Sequence, residues 1–179
     1  ELLSDTLKTF PQGLNSVSFN LDQEQFVDLA YCQTLAILQQ QTPIKLHIEL
    51  TERPGVGKKL LTHAEIVQAA QAYQQAGLHV CVDDVGTGTN QYELVNELAP
   101  YAVEYKFALQ NVRGALPPTE IKEQVGFWRE MALRQHKLFA LEGFEVSRDM
   151  ELIHTFQPDI VQGYYFGRPR MLPTAKDFC

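Results

Sequence analysis

The sequence predicts an α/β protein built on a parallel sheet. Two observations carry this: six short apolar runs alternate with five longer amphipathic segments, and each run ends at or near a polar residue. Short apolar runs bounded by Gly, Pro or polar residues read as buried strands, and strands alternating with helices imply right-handed crossovers.

The elements follow in order. Leu14–Asn20 is the first strand and Glu24–Gln40 the first helix. Ile44–Leu50 is the second strand. Thr62–Ala76 is the best-marked helix: Thr62 and Glu65 form a capping box and Gly77 stops it. Leu78–Asp84 is the third strand, followed by a helix over Asn90–Leu98. Tyr101–Phe107 is the fourth strand. The helix Pro118–Gln135 is entered through Pro117–Pro118, where a missing N–H costs little. Lys137–Glu142, the helix Ser147–Phe156 and the strand Asp159–Gln162 complete the series.

The chain has 179 residues, 45% of them apolar and 21% charged, which fits a single globular domain spanning 1–179. Its net charge of −7 argues against a nonspecific duplex-DNA binder, because phosphate neutralisation needs a Lys/Arg surplus. No apolar run reaches the roughly 18 residues that cross a bilayer, and no signal peptide is seen. Cys32, Cys81 and Cys179 lack Cys-x-x-Cys spacing, so a disulfide framework or thiolate zinc site is not expected. Cys81 reads as a small core hydrophobe. A reducing, cytoplasmic location is the expectation.

Asn20, Glu49, Asp83, Lys106, Glu142 and Gln162 fall at or near the carboxyl ends of six successive strands, and that edge carries the ligand site in α/β folds. A solvated strand end explains any one of them, but not the whole set. Asp83 and Asp84 are adjacent and repel unless a cation or proton intervenes. With Glu49 and Glu142 they form a hard-oxygen cluster, joined by the Asn20 amide, that suits Mg²⁺ or Mn²⁺. A pair of such ions clamps a phosphodiester and generates hydroxide from water. Lys106 then supplies a fixed positive charge, and Gln162 a hydrogen bond to water or phosphate. Gly86-Thr87-Gly88 reads as a tight strand-to-helix turn. Arg53–Lys59 fails the phosphate-loop pattern and reads as a basic surface loop. The histidines lack metal spacing; His47 shares a strand face with Glu49 and reads as structural ahead of a ligand.

These residues form a recognisable set. Ile48-Glu49-Leu50-Thr51-Glu52 resembles the E-x-T-E motif of bacterial EAL-domain proteins. Asp83-Asp84-Val85-Gly86-Thr87-Gly88 resembles their D-D-F-G-x-G, and Lys106-Phe107-Ala108 stands at their K-x-D. Glu142-Gly143-Phe144-Glu145 resembles E-G-V-E; Gln162-Gly163-Tyr164-Tyr165-Phe166 with Arg168-Pro169 resembles the terminal Q-G-Y-x-F and R-P. Val17-Ser18-Phe19-Asn20-Leu21 resembles the V-N-L-S strand. The order is right from Leu14 to Phe178.

The resemblance implies a TIM-like barrel and hydrolysis of the bacterial second messenger cyclic di-GMP to linear pGpG, with a two-metal Mg²⁺ or Mn²⁺ site. It implies metal-site roles for Asn20, Glu49, Asp83, Asp84 and Glu142, and water-activating roles for Lys106 and Glu142. Gln162 resembles the family's glutamine near the reacting water, Arg168 belongs with the ligand-binding residues, and Glu52 resembles the glutamate that anchors the loop after the Asp pair. Ala108 replaces the aspartate of K-x-D; Val85 and Thr89 replace aromatic residues of that loop. The Glu-Ala-Leu strand is expected several tens of residues before Asn20, and Glu1-Leu2-Leu3 reads instead as the tail of a helix. Six strands where such a barrel has eight imply that its first two are missing. Unpaired edges at Leu14–Asn20 and Asp159–Gln162, and apolar interior side chains facing water, would then favour a homodimer or membership of a larger multidomain signalling protein.

Overall fold

The computed structural model describes residues 15–57 and 59–169. Six strands lie parallel in one sheet, in the order of the sequence: β1 Ser16–Leu21, β2 Lys45–Leu50, β3 His79–Val82, β4 Ala102–Ala108, β5 Leu138–Glu142 and β6 Ile160–Val161. The helices are α1 Gln23–Val27, α2 Leu29–Gln40, α3 His63–Gln75, α4 Tyr92–Leu98, α5 Leu109–Val112, α6 Pro118–Arg134 and α7 Met150–Phe156. Together the described residues make a curled half-barrel of six parallel strands and their helices, a TIM-like α/β arrangement. The Leu14 end of the first strand and the Glu1-Leu2-Leu3 segment lie outside the described residues.

Alternation along the strands sorts the two faces. Leu46, Ile48, Leu50, Val80, Val82, Tyr105, Phe107, Phe139 and Leu141 point outward and are buried under the helices. There they meet Ile66, Tyr73, Leu94, Leu98, Val125 and Trp128, which supply most of the hydrophobic driving force. Phe26 of α1 stacks on Tyr73 of α3 with ring centroids 4.7 Å apart.

The inner face is mixed at its amino-terminal end. A cavity there is lined by polar Ser16, Lys45, His47 and His79 and by apolar Pro43, Ile44, Val103, Leu138 and Ile160, of which Leu138 and Ile160 are exposed. Polar side chains lower the cost of leaving that face wet. Among the described residues, β1 and β6 are the outer strands of the sheet.

Local chemistry explains three further differences. The expected helix Glu24–Gln40 is two helices, because Asp28 leaves helical geometry at ψ 106° and caps α2 by accepting from the Ala30 N–H. The segment from Ser147 begins as a 3₁₀ turn over Ser147–Asp149. The Arg53–Lys59 loop uses its backbone: the N–H groups of Gly57 and Lys59 donate to the Glu24 carboxylate at 2.9 and 2.8 Å. The capping box of Thr62 and Glu65 and the entry of α6 at Pro118 are as expected.

Candidate functional site

Lys106 is the centre of the carboxyl edge. Its side chain is 8% exposed and three carboxylates surround its Nζ: Glu49 at 2.7 Å, Glu142 at 2.9 Å and Asp83 at 3.3 Å. Strand register produces this ring. Cys81 pairs with Glu104 and Val82 with Tyr105, so Asp83 follows level with Lys106. Glu142, at the end of β5, pairs with Ala108.

Three carboxylates against one ammonium leave a surplus of two negative charges if all are ionised. Burial pushes the Asp83 carboxyl up to about 7; Lys106 opposes the rise, while Asp84, Glu142 and Glu49 add to it. Burial alone would lower the Lys106 ammonium, but Asp83, Glu142 and Glu49 outweigh it and hold it above the usual lysine range. Asp83 Oδ1 and Glu142 Oε1 are buried within ion-pair reach of Lys106, yet neither has an aligned hydrogen-bond partner. Hard oxygens, surplus negative charge and two under-satisfied buried acceptors fit a divalent cation such as Mg²⁺ or Mn²⁺. Glu49, Asp83 and Glu142 would hold it, with Asn20 beside Glu49 in the strand register.

Asp84 sits in the loop beyond β3 with φ 47°, a left-handed conformation uncommon outside glycine. Burial raises its carboxyl, and a hydrogen bond with Asn111 acts the other way. Asn20 is exposed at the end of β1. Gln162 is exposed just past β6, and its side shares a cleft with Glu142. Arg168 lies 4.8 Å over the Tyr164 ring and lines a groove with Gln162. Glu52 meets the loop after the Asp pair through its backbone: its carbonyl accepts from the Thr89 N–H at 3.3 Å and hydroxyl at 2.9 Å. Its carboxylate accepts from Arg53 Nε at 3.2 Å. Thr89 also accepts from the Gln23 side chain.

Sequence reasoning missed several positioning residues. Asn90, read only as a helix start, is fully buried. Its Nδ2 donates to the carbonyls of Leu50 at 3.0 Å and Asp83 at 2.6 Å, so one amide ties the ends of β2 and β3. Arg113 donates to the Gly143 carbonyl at 2.9 Å and to Asp149 at 2.8 Å, fixing the loop after Glu142. Nothing in the sequence pattern marks either. Glu104, 5% exposed, stands one step below Lys106 on the same strand face.

Gly163, next to Gln162, packs so closely that a Cβ there would overlap the backbone of Phe144. That backbone accepts from Tyr165 N–H at 2.9 Å and donates to the Gln162 carbonyl at 3.2 Å. Gly163→Ala is expected to destabilise the fold by about 1–3 kcal/mol. Urea denaturation checks this, and an unchanged midpoint would contradict the packing.

A parallel half-barrel with a lysine-centred acidic ring at its carboxyl edge defines a class: α/β-barrel proteins whose ligand site lies above the strand ends. Within that class the chain belongs to the EAL-domain family, whose profile matches residues 2–169. The structure is similar to the EAL enzyme Bd1971 in its cAMP-bound form, at 21% identity and TM-score 0.71, over 88% of this chain and 42% of that one. It is similar to the Bacillus subtilis YkuI protein, which has an EAL domain and is in complex with substrate c-di-GMP and calcium, at 16% identity and TM-score 0.75, over 96% and 43%. It is also similar to Klebsiella pneumoniae BlrP1 in a manganese/c-di-GMP complex, at 19% identity and TM-score 0.73, over 93% and 41%. This chain therefore spans about two-fifths of the length of these relatives. At these identities the likeness is one of fold. No curated protein matches the chain. No helix among the described residues is long and apolar enough to cross a membrane.

Proposed function

We propose that this chain carries an EAL-type phosphodiesterase site that hydrolyses cyclic di-GMP to linear pGpG with Mg²⁺ or Mn²⁺. It would act in the cytoplasm as a homodimer or within a larger signalling protein. The observation that supports it best is the buried Lys106 ammonium ringed by Glu49, Asp83 and Glu142 at the strand ends of an EAL-domain fold. YkuI and BlrP1 in complex with c-di-GMP and a divalent cation lend it further support.

When bound, the cation supplies Lewis acidity to the phosphodiester and lowers the pKa of water. The chain's own groups do the rest. Glu142 accepts the proton of the attacking water. Lys106 fixes a positive charge where negative charge develops, which stabilises the transition state more than the bound nucleotide. Gln162 orients the water or a phosphate oxygen, and Arg168 attracts phosphate. Asp84, with its strained backbone, and Asn20 complete the oxygen donors.

Ala108, buried opposite Glu142 where the family motif has aspartate, favours a second reading: a receptor that holds the nucleotide without cutting it. Incubation of the chain with cyclic di-GMP and Mn²⁺, followed by chromatography, separates the two. pGpG is expected as the product, with turnover falling about 100-fold or more in Asp83→Asn and Glu49→Gln. Calorimetric titration of Mn²⁺ should give heat for the native chain and much less for Asp83→Asn. Nucleotide binding without pGpG supports the receptor, and neither binding nor cleavage rejects both.

A further inference from the structure

Below the lysine ring lies a second group of side chains that the proposed reaction does not use. His47, Cys81 and Glu104 come from β2, β3 and β4, one from each of three adjacent strands. Register pairs Cys81 directly with Glu104, and His47 is one step down the same face from Glu49, the partner of Cys81. Among the described residues they are the one set of three or more His, Cys, Asp or Glu donors lying within 4.8 Å of one another.

The distances are those of a ligand set. His47 Nδ1 is 3.5 Å from Cys81 Sγ and 3.9 Å from Glu104 Oε2, and Cys81 Sγ is 3.9 Å from the same oxygen. A tetrahedral zinc ion has bonds of about 2.3 Å to sulfur and about 2.0–2.2 Å to nitrogen and oxygen, which separates its donors by about 3.3–3.6 Å. The triangle needs to close by no more than about half an ångström to seat such an ion. Cys81 and Glu104 are 1% and 5% exposed, so packing already holds them in place.

The geometry points to a transition-metal site of the zinc class formed by His47, Cys81 and Glu104, distinct from the all-oxygen ring around Lys106. Sulfur and nitrogen donors select zinc-like ions over Mg²⁺. Three protein ligands leave a fourth position, and the cavity that His47 and His79 line at the amino-terminal end gives an ion its entry path. The His79 ring sits 5.2 Å from that of His47 on the same side.

Each ligand stands two residues before a residue of the candidate active site on the same strand face: His47 before Glu49, Cys81 before Asp83 and Glu104 before Lys106. An ion held there would pin three strands in register beneath the catalytic layer. Sequence spacing could not show this site, because its ligands are neighbours only across the sheet.

Cobalt reports on it. The purified chain, stripped with a chelator, is titrated with Co²⁺. A thiolate-to-cobalt charge-transfer band and tetrahedral visible bands are expected at one equivalent. Zn²⁺ should displace the cobalt and raise the melting midpoint by about 5 °C. Cys32→Ser combined with Cys179→Ser leaves Cys81 as the only thiol of the three cysteines and should keep the band. Cys81→Ser should abolish it, and His47→Gln and Glu104→Gln should each weaken cobalt binding about 100-fold. A native chain without the band, or a band that survives Cys81→Ser, overturns the site. The oxygen ring contains no thiolate, so these outcomes are independent of cyclic di-GMP hydrolysis.

Discussion

Lys106→Met is expected to cost the protein about 3–5 kcal/mol at pH 8 in the absence of divalent metal, and to abolish any phosphodiesterase activity. Methionine keeps the length and most of the volume of the side chain, so packing changes little. The charge is the difference. Glu49, Glu142 and Asp83 lie 2.7, 2.9 and 3.3 Å from the ammonium and are themselves largely buried. Without it they face only one another, and removing one partner of a buried ionic cluster leaves charge that neither water nor protein compensates. Acidification should return much of the loss, because a proton can then replace the lysine. Urea denaturation at pH 8 and pH 6 measures both effects. A variant within about 1 kcal/mol of the native chain at pH 8 would show that the ring is not held by charge. In kinetics, nucleotide affinity should change far less than turnover, as for a group that acts mainly in the transition state. Near-normal turnover would remove Lys106 from the mechanism.

The second large effect is a fall in stability of the metal-free protein as pH rises from 6 to 8. Burial lifts Asp83 from 3.8 to about 7 and Glu104 from 4.5 to about 7. Between about pH 4 and 7 the folded chain therefore holds two protons that the unfolded chain has already released. Their stabilising contribution is present at low pH and is lost as pH rises through about 7. From pH 6 to 8 the two groups together forfeit on the order of 3 kcal/mol, which corresponds to roughly 5–10 °C in melting midpoint. His47 and His79 act in the opposite sense: burial lowers both below the usual 6.5, so the gain from releasing their protons offsets part of the fall as pH rises through about 6.5. Thermal melts in chelator test this. A midpoint that is flat or rises between pH 6 and 8 would contradict the buried carboxyls. Adding Mn²⁺ at pH 8 should recover stability, because a cation replaces the lost protons.

The parallel fold and the polar strand ends were legible in the sequence because both follow from local pattern. Apolar runs of four to seven residues can be buried on both faces only in a covered sheet. The capping box at Thr62 and the proline at the start of α6 are equally local, and both stand where the pattern put them. The motifs around Glu49, Asp83, Lys106, Glu142 and Gln162 carried the family resemblance, which the profile match over residues 2–169 bears out. What pattern could not supply were contacts between residues far apart in the chain. The break at Asp28 depended on one side chain choosing to cap the helix after it. Asn90 read only as the start of a helix, but its amide spans two strand ends 40 and 7 residues away.

The sequence by itself determined the order of the strands and which edge gathers charge. Short apolar runs and strand-end polarity are properties of single segments, so no partner is needed to read them. Only the tertiary structure decided what those charges meet. Register placed Lys106 among three carboxylates and turned a row of strand-end acids into a closed ring around one ammonium. The same register brought Cys81, legible only as a core hydrophobe, between an imidazole and a buried glutamate. Electrostatic and ligand chemistry act over 3–4 Å in space, and the distance along the chain between such partners carries no trace of it.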